Sequence, residues 1–487
     1  MSSTPSQDPA PARSGEAARS GSRPVVIAAS FAFSLLGAAL FALSIVDAIR
    51  GQWDHDGGFY LLRAAYVASG LTPYRDYLSI YPPLYDLMNA VPVALIRDRV
   101  ALAVALPAIW IAAGCVVSFA MVRAFTGRTL AALAAAAMFP VFCIANEGTH
   151  VTLEHGVIVF TSLALIFARR GGVASMAACG ACAFGAIASK QNGATVVLPI
   201  AIMLWARRSE VSRRHLLGLA IGAAAPAIAM LAWLRFDFAA IAANVVGDLQ
   251  KYTEASQQGL TSLPGEWARS APTVLFLGGA ILCGVALTIA RGAPNRLLIF
   301  SLLVCALAQL APRLLRNYPH YDLNAWPYAI LLVALAAARL FPQGAPGRTV
   351  AAFAATLLVA AIATCLPQYQ RYWSRPGLVE TAFIPSARLI RAVSNPGTPI
   401  RQYGTEPIIE FLSGRLPEEL SLPRSVYRTW STSGIYPDPA PPPGVPVVLV
   451  DTGQRWMPAK RADLLRRGYQ TQFRGGTAQE MVEVMTR

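Results

Sequence analysis

Long apolar segments separated by short polar connections dominate this chain. A helix needs about 20 apolar residues to cross a bilayer. Segments of roughly this kind occupy residues 24–48, 100–122, 129–145, 151–168, 172–189, 193–206, 216–234, 272–290, 297–312, 326–340 and 350–366. The pattern therefore predicts a polytopic α-helical membrane protein with about 11 spans.

The two ends of the chain differ in composition from the apolar middle. Residues 1–23 are rich in Ser, Pro, Ala and Gly, a composition typical of a disordered tail. Residues 24–366 are predicted to form the transmembrane domain. In residues 367–487 hydrophobicity falls, and helical signals alternate with strand-like runs such as Pro446–Asp451. This last region is predicted to be a small extracytoplasmic α/β domain.

The distribution of arginine predicts the orientation. Short connections rich in arginine occur at residues 123–128, 169–170, 207–215, 291–296 and 339–348. Basic short loops face the cytoplasm, so the N-terminus is predicted to be inside. An odd number of spans then places the C-terminal domain outside, together with a long loop at residues 49–99. The chain is thus expected to be N-in and C-out.

The amino-acid composition indicates whether the chain binds lipid or nucleic acid. The chain is 55% hydrophobic and 14% charged, with a formal net charge of +15, whereas a soluble domain has roughly 25% charged residues. Because the basic residues lie beside apolar runs, we expect the lipid bilayer as partner and no nucleic acid. The seven cysteines also lie in or beside apolar runs, so we predict no disulfide and no cysteine metal cluster.

The outer loop at residues 49–99 carries an unusual concentration of acids. Asp54, Asp56, Asp76 and Asp86 lie between Trp53 and Leu87. An amphipathic helix is predicted for residues 59–69, ending at Gly70, and a proline pair at 82–83 is placed to open a second helix. An acid-rich loop held at a membrane surface indicates chemistry, although acids in an exposed loop also simply keep it solvated.

A second polar segment follows the third apolar run. Residues 146–155 contain Glu147, His150, Glu154 and His155. His150 and Glu154 are one helical turn apart, a spacing that suits chelation. The remaining residues form no known metal pattern, so we favour a wall of the active-site cavity and assign no metal ligands. No cofactor is assigned, and a divalent cation is left open.

Several motifs resemble one enzyme family. They are DHDGGFY with GLTPYRDY and YPPL in the outer loop, ASKQNGATVVLP at 188–199, PHYDLNAWPYAILL at 319–332 and YGTEPIIEFLSGRLP at 403–417. Together they resemble the GT-C superfamily of integral membrane glycosyltransferases that use polyprenyl-phosphate sugars. That superfamily includes protein O-mannosyltransferases and lipid A aminoarabinose transferases. Two positions depart from its pattern, because relatives usually carry Glu where this chain has Gly57 and many carry Lys where it has Tyr81.

The resemblance implies roles for individual residues. It implies that Asp56 is the general base, with Asp54 as second choice and Asp76 orienting the acceptor or a cation. Lys190 follows a short apolar run and precedes another, so a protein-lined recess suits it. The candidate ligands of the donor phosphate are Lys190, Arg313, Arg316 and His320. A membrane-anchoring or snorkelling role is the alternative for Lys190 and Arg313.

The resemblance also implies a reaction. The expected enzyme is an inverting hexosyl- or pentosyltransferase of a bacterial inner membrane, acting at the periplasmic face. It would move one sugar from a polyprenyl-phosphate donor to a glycan, lipid or protein acceptor of the cell envelope. Two alternatives stay open: a transporter or flippase, and an oligosaccharide polymerase or ligase. Transporters place ionisable residues inside their spans, and the spans here are almost free of charge.

Overall fold

The computed structural model of the chain describes residues 23–50, 55–77, 79–248, 271–290, 295–316, 319–341, 359, 382–403, 407–417, 444–451, 457–476 and 481–487. In its first part the helices are α1 (Arg23–Arg50), α2 (His55–Ala68), α3 (Leu84–Leu95), α4 (Arg99–Thr126), α5 (Thr129–Ala145), α6 (Leu153–Arg170), α7 (Val173–Ser189) and α8 (Val197–Ala206). They are followed by α9 (Arg213–Trp233), α10 (Phe238–Ala242), α11 (Ala271–Ile289), α12 (Arg296–Arg316) and α13 (Trp326–Leu340).

The helices coincide with the predicted spans wherever the structure describes them. The predicted span at 350–366 lies outside the described residues, apart from residue 359. Within the described ranges, four helices are long and apolar enough to cross a membrane: Val26–Ile49, Arg99–Thr126, Arg213–Trp233 and His320–Leu340. The helices at the other predicted spans are shorter or less apolar, and the one predicted at 193–206 begins as a 3-10 helix over Gln191–Val196. The number of spans and the orientation stay predictions.

Small residues let neighbouring helices come close. A Cβ atom added at Gly180 of α7 would lie 2.1 Å from the carbonyl oxygen of Leu219, and one at Gly222 of α9 would lie 1.9 Å from that of Ala177. Backbone contact of this kind is how membrane helices pack without a hydrophobic driving force. The antiparallel helices α6 and α7 also meet closely, since a Cβ at Gly156 would lie 2.6 Å from the Ser189 hydroxyl. The start of α6 therefore lies beside the end of α7.

The outer loop folds into the two predicted helices. Helix α2 ends before Gly70, whose φ of 86° lies in the left-handed region that favours glycine. Helix α3 begins directly after Pro83. Between them, the fully buried Arg63 guanidinium lies 2.5 Å from the Asp86 carboxylate and donates to the Ser79 hydroxyl at 2.7 Å. This buried ion pair connects the helices across the loop.

The C-terminal residues contain a four-stranded sheet. Its elements are α14 (Phe383–Val393), β1 (Arg401–Tyr403), α15 (Ile408–Ser413), β2 (Val447–Asp451), α16 (Met457–Arg466), β3 (Gln470–Gly476) and β4 (Met481–Thr486). The strand order is β1-β2-β4-β3, with β1 and β2 parallel and the other neighbours antiparallel. Alternate residues of β2 face opposite sides: Val448 and Val450 pack in the core with α14 and α15, and Val447 and Leu449 pack with α16.

One hydrophobic core joins the C-terminal segment to the outer loop. It contains residues of α2 such as Leu61 and Leu62 together with Ile408 and Phe411 of α15. The two helices touch at Gly58, where an added Cβ would lie 2.7 Å from the backbone nitrogen of Ile408. A side chain at Gly58 would therefore push α15 away from the helix that carries Asp56.

Glu410 of α15 is buried in this contact without full compensation. It is 4% exposed, and its Oε2 atom has no hydrogen-bond partner among the described residues. Burial raises the pKa of Glu410 to about 8. The folded state therefore keeps a proton that the unfolded chain releases near the ordinary value of 4.5, and stability falls as the pH rises from about 4.5 to 8.

Replacing Glu410 with glutamine should remove this pH dependence. Relative to wild type, the Glu410→Gln variant should gain about 1.4 kcal/mol of stability for each pH unit between 5.5 and 7.5. The measurement is the difference in melting temperature between the two proteins, in one detergent, at both pH values. The control is Asp463→Asn, which should show no such trend, because the half-buried Asp463 carboxylate at the surface of α16 forms ion pairs with Arg466 at 3.6 Å and Arg467 at 2.9 Å. If the difference in melting temperature between Glu410→Gln and wild type were the same at both pH values, Glu410 would not be protonated in the folded state.

Candidate functional site

Asp56 stands in the first turn of α2, where the helix dipole favours a negative charge. Its side chain is 36% exposed, and its Oδ2 atom lies 3.7 Å from Nε2 of His320. His320 is buried in the 3-10 turn Pro319–Ala325, which leads into α13. This distance is longer than a hydrogen bond, but it places an imidazole beside a carboxylate that solvent can reach.

Lys190 lies in a buried turn at the end of α7. Its ammonium group forms a salt bridge with Glu154, whose carboxylate also accepts a hydrogen bond from the Thr152 hydroxyl. The Lys190 Nζ atom lies 4.3 Å from the ring centre of Tyr321 and 5.6 Å from that of Tyr81. Cation–π contacts with these rings stabilise the charge, so the lysine is held by one carboxylate and two aromatic faces.

The turn that carries Lys190 is tied to the outer loop. The side-chain amide of Gln191 donates to the Ile80 carbonyl at 2.8 Å. The Tyr81 carbonyl accepts from the Ser79 hydroxyl at 2.8 Å and from the Tyr74 hydroxyl at 2.9 Å. Tyr81 occupies the position at which many members of the resembled family carry lysine. Here a lysine from a distant turn, Lys190, lies against that same position.

Tyr60 is a buried residue of α2 near both Asp56 and Glu154. It is 3% exposed and interacts electrostatically with Asp56, Tyr81, Glu154 and Tyr321. Burial raises the pKa of Tyr60 well above its usual value, so the side chain is a neutral phenol. Asp56 and the Lys190–Glu154 pair therefore lie beside one wall of tyrosine side chains, formed by Tyr60, Tyr81 and Tyr321.

The buried Arg63–Asp86 pair contacts two of these tyrosines through Arg63 and Ser79. Arg63 donates to Ser79, and Ser79 in turn donates to the Tyr81 carbonyl. The Arg63 guanidinium also lies 5.9 Å from the ring centres of both Tyr60 and Tyr81. Asp86 is thus a structural partner within the loop. Arg63 lies on the apolar face of α2 near Phe59. Because buried charges are paired, a charged residue on such a face indicates a buried partner of opposite charge.

Of the other predicted site residues, the structure places only the side chain of Asp76. Asp76 accepts hydrogen bonds within its own turn, from the Arg75 guanidinium at 2.9 Å and from the Thr72 amide at 2.8 Å. Those hydrogen bonds from Arg75 lower the pKa of Asp76. Asp54 lies outside the described residues. Arg313 and Arg316 belong to the end of α12, but their side chains lie outside the described part of the structure.

Three of the four residues considered as a metal site have different surroundings. Glu154 pairs with Lys190. His155 is fully buried, and its two ring nitrogens have no hydrogen-bond partner among the described residues. His150 packs against Gly57, whose added Cβ would lie 3.0 Å from the His150 Cβ. Among the described residues, no group of three or more His, Cys, Asp or Glu is arranged to hold a metal ion.

Comparison with known proteins finds solved structures that share the fold of this chain. The sequence matches no protein-family model and no curated protein. It is similar in structure to ArnT from Cupriavidus metallidurans bound to undecaprenyl phosphate, with a TM-score of 0.58 and 15% identity over 93% of this chain and 97% of that one. The chain has the fold of ArnT. ArnT in the apo state gives a TM-score of 0.54 at 15% identity over the same shares.

A third similar structure is an oligosaccharyltransferase from Archaeoglobus fulgidus in complex with Zn and sulfate. Its TM-score is 0.45 at 13% identity, over 78% of this chain and 62% of that one. The ArnT likeness extends over nearly the full length of both chains. The predicted resemblance is therefore confirmed as far as the fold, which is that of ArnT. Fold alone does not assign an activity, so the activity must be argued from the site.

Proposed function

We propose that this protein is an inverting membrane glycosyltransferase that takes one sugar from a polyprenyl-phosphate donor. The observation that carries the proposal is the meeting of separate motifs at one place. Asp56 and Tyr81 of the outer loop, Lys190 of the lysine turn and His320 of the late span form one cluster. The ArnT structure with the same fold contains undecaprenyl phosphate, which supports a polyprenyl lipid as the donor carrier.

The proposed reaction is a single displacement. The acceptor hydroxyl gives its proton to the Asp56 carboxylate as its oxygen attacks the anomeric carbon of the sugar. The bond between that carbon and the phosphate oxygen breaks, and the electron pair leaves with the polyprenyl phosphate. Attack from the face opposite the leaving group inverts the anomeric centre. The negative charge that gathers on the phosphate needs cations nearby.

The cations proposed for this role are Lys190 and His320, together with Arg313 and Arg316. Lys190 already has Glu154 as its counter-ion. A donor phosphate would therefore either join the pair through the outer side of the ammonium group or replace Glu154. Lys190 is 7% exposed, so this contact requires the lipid phosphate to enter the recess. A divalent cation stays an open part of the proposal.

The proposed setting is a bacterial inner membrane, with the site facing the periplasm and a glycan, lipid or protein of the cell envelope as acceptor. Thiol labelling tests this orientation. Gln472 is exposed on the edge strand β3, whereas Ser413 is fully buried and unsuitable for labelling. In a cysteine-free background, Gln472→Cys should react with a membrane-impermeant reagent in intact spheroplasts. Reaction only after lysis would reverse the orientation.

The lipid that accumulates without the protein tests the function itself. In cells that lack the protein, a sugar linked to polyprenyl monophosphate should build up, and complementation should remove it. Accumulation of an oligosaccharide on a polyprenyl diphosphate would favour the polymerase or ligase alternative. An unchanged pool of lipid-linked sugars would contradict both enzymatic readings. The catalytically impaired variant Asp56→Asn should accumulate the same lipid as the deletion.

A further inference from the structure

A second cavity lies at the other end of the helices. Glu154 lies in the first turn of α6, beside the site, and Arg169 lies in its last turn, about 22 Å further along at the helical rise of about 1.5 Å per residue. Arg169 lines a cavity of about 500 Å³ between the ends of α4, α6, α8 and α13 and the start of α12. Its volume is in the range of small-molecule and cofactor sites.

The lining of this cavity combines arginines with apolar side chains. Arg169, Arg207 and Arg339 contribute the charge, and Phe125, Leu298 and Leu335 belong to the apolar part. No acidic side chain is among the described residues that line it. Arg169 and Arg339 are exposed at the ends of their helices. The cavity is therefore positively charged at its mouth and apolar along its wall.

Arg207 is held in a fixed position. Its guanidinium donates to the Glu210 carboxylate at 3.0 and 2.9 Å and to the Arg169 carbonyl at 3.3 Å. Gly171 makes room for it: a Cβ there would lie 2.7 Å from Arg207 Nη2, and the backbone has a φ of 70°. Glu210 is the counter-ion of Arg207, and Arg169 and Arg339 add two further positive charges to the lining of the cavity.

We propose that this cavity binds an anionic phospholipid, with its phosphate at Arg169 and Arg339 and the start of an acyl chain against the apolar wall. The charge and polarity of the cavity lining complement those of such a lipid. Basic pockets between membrane helices on the cytoplasmic side bind anionic headgroups, and the arginine distribution predicts that this end faces the cytoplasm. A zwitterionic lipid carries a cationic headgroup that the arginines repel. The site is separate from the proposed transfer site and does not depend on that activity.

Native mass spectrometry of the delipidated full-length protein tests the proposal. The probes are phosphatidylglycerol and phosphatidylcholine with identical acyl chains. Wild type should retain phosphatidylglycerol in preference. The double variant Arg169→Gln/Arg339→Gln should bind it about 30-fold more weakly, at about 1 kcal/mol for each arginine near a lipid surface. Its affinity for phosphatidylcholine should not change.

The control removes the same number of charges beside the cavity. Arg170→Gln/Arg208→Gln takes away two exposed guanidinium groups that lie over the rings of Phe167 and Trp205, and it should keep the preference of wild type. If both double variants lost the same affinity for phosphatidylglycerol, general surface charge would explain the effect and the proposed site would be wrong. Undecaprenyl phosphate is the third probe. If the protein retained it more strongly than phosphatidylglycerol, and if this retention depended on Arg169 and Arg339, the occupant would not be a phospholipid.

Discussion

Replacing Asp56 with asparagine should reduce sugar transfer by roughly 10²–10⁴-fold, the usual scale of general acid–base catalysis. An amide of the same shape cannot accept the acceptor's proton. The fold should survive the change, because the Asp56 side chain is 36% exposed and an exposed position tolerates the amide. Donor binding should also stay close to that of wild type. The measurement is the single-turnover rate with a labelled polyprenyl-phosphate sugar and purified protein in liposomes.

Two further variants make the Asp56 result specific. Asp98→Asn changes another loop acid, which caps α4 by accepting from the amides of Val100 and Ala101 at 3.0 Å. Asparagine caps equally well, so this variant should transfer at the wild-type rate. Asp54→Asn should have a smaller effect than Asp56→Asn. If Asp54→Asn abolished transfer while Asp56→Asn stayed active, the base would be Asp54 and the motif alignment would be wrong by two residues.

The Lys190–Glu154 pair should give the largest effect on stability. Removing one partner of a buried ion pair leaves an uncompensated charge and costs about 3–5 kcal/mol. Glu154 is fully buried, and the Lys190 side chain is 9% exposed. We therefore expect Lys190→Met or Glu154→Gln alone to lower the melting temperature strongly. Glu210→Gln, in an exposed pair, should change stability by at most about 1 kcal/mol.

The double variant separates the structural role of Lys190 from its proposed role in donor binding. Glu154→Gln/Lys190→Met removes both charges together, so it should recover most of the stability that either single variant loses. If Lys190 also contacts the donor phosphate, the double variant should still bind donor more weakly by roughly 1.5–3 kcal/mol. Wild-type donor affinity in a stable double variant would leave Lys190 with a structural role only.

Hydrophobic patterning located the helices well but not their contacts. The apolar run predicted at 129–145 is the helix Thr129–Ala145, because the length of an apolar segment is a local property of the sequence. The pairing of Glu154 with Lys190 depends instead on how two antiparallel helices are aligned, which glycine contacts such as that of Gly156 with Ser189 decide. No sequence period encodes that alignment.

The candidate site was predicted in part, and motif resemblance supplied that part. It singled out Asp56, Lys190 and His320, which the structure brings into one cluster. Tyr60 and Tyr321 stand inside the quoted motifs, but no role was predicted for them, because a tyrosine among apolar residues is typical of any membrane-protein core. Asp86 counted as one acid of an exposed loop, whereas its carboxylate is fully buried against Arg63. Only the fold distinguishes a buried acid from an exposed one at this spacing.

The most direct test of the central claim follows both products of one reaction. Purified protein in liposomes is given a polyprenyl monophosphate sugar labelled in the sugar, together with extracted envelope glycans and lipids as acceptors. Labelled acceptor with inverted anomeric configuration and free polyprenyl phosphate should appear in equal amounts, and Asp56→Asn should suppress both. Movement of the intact lipid-linked sugar across the bilayer without release of polyprenyl phosphate would show that the protein is not a glycosyltransferase.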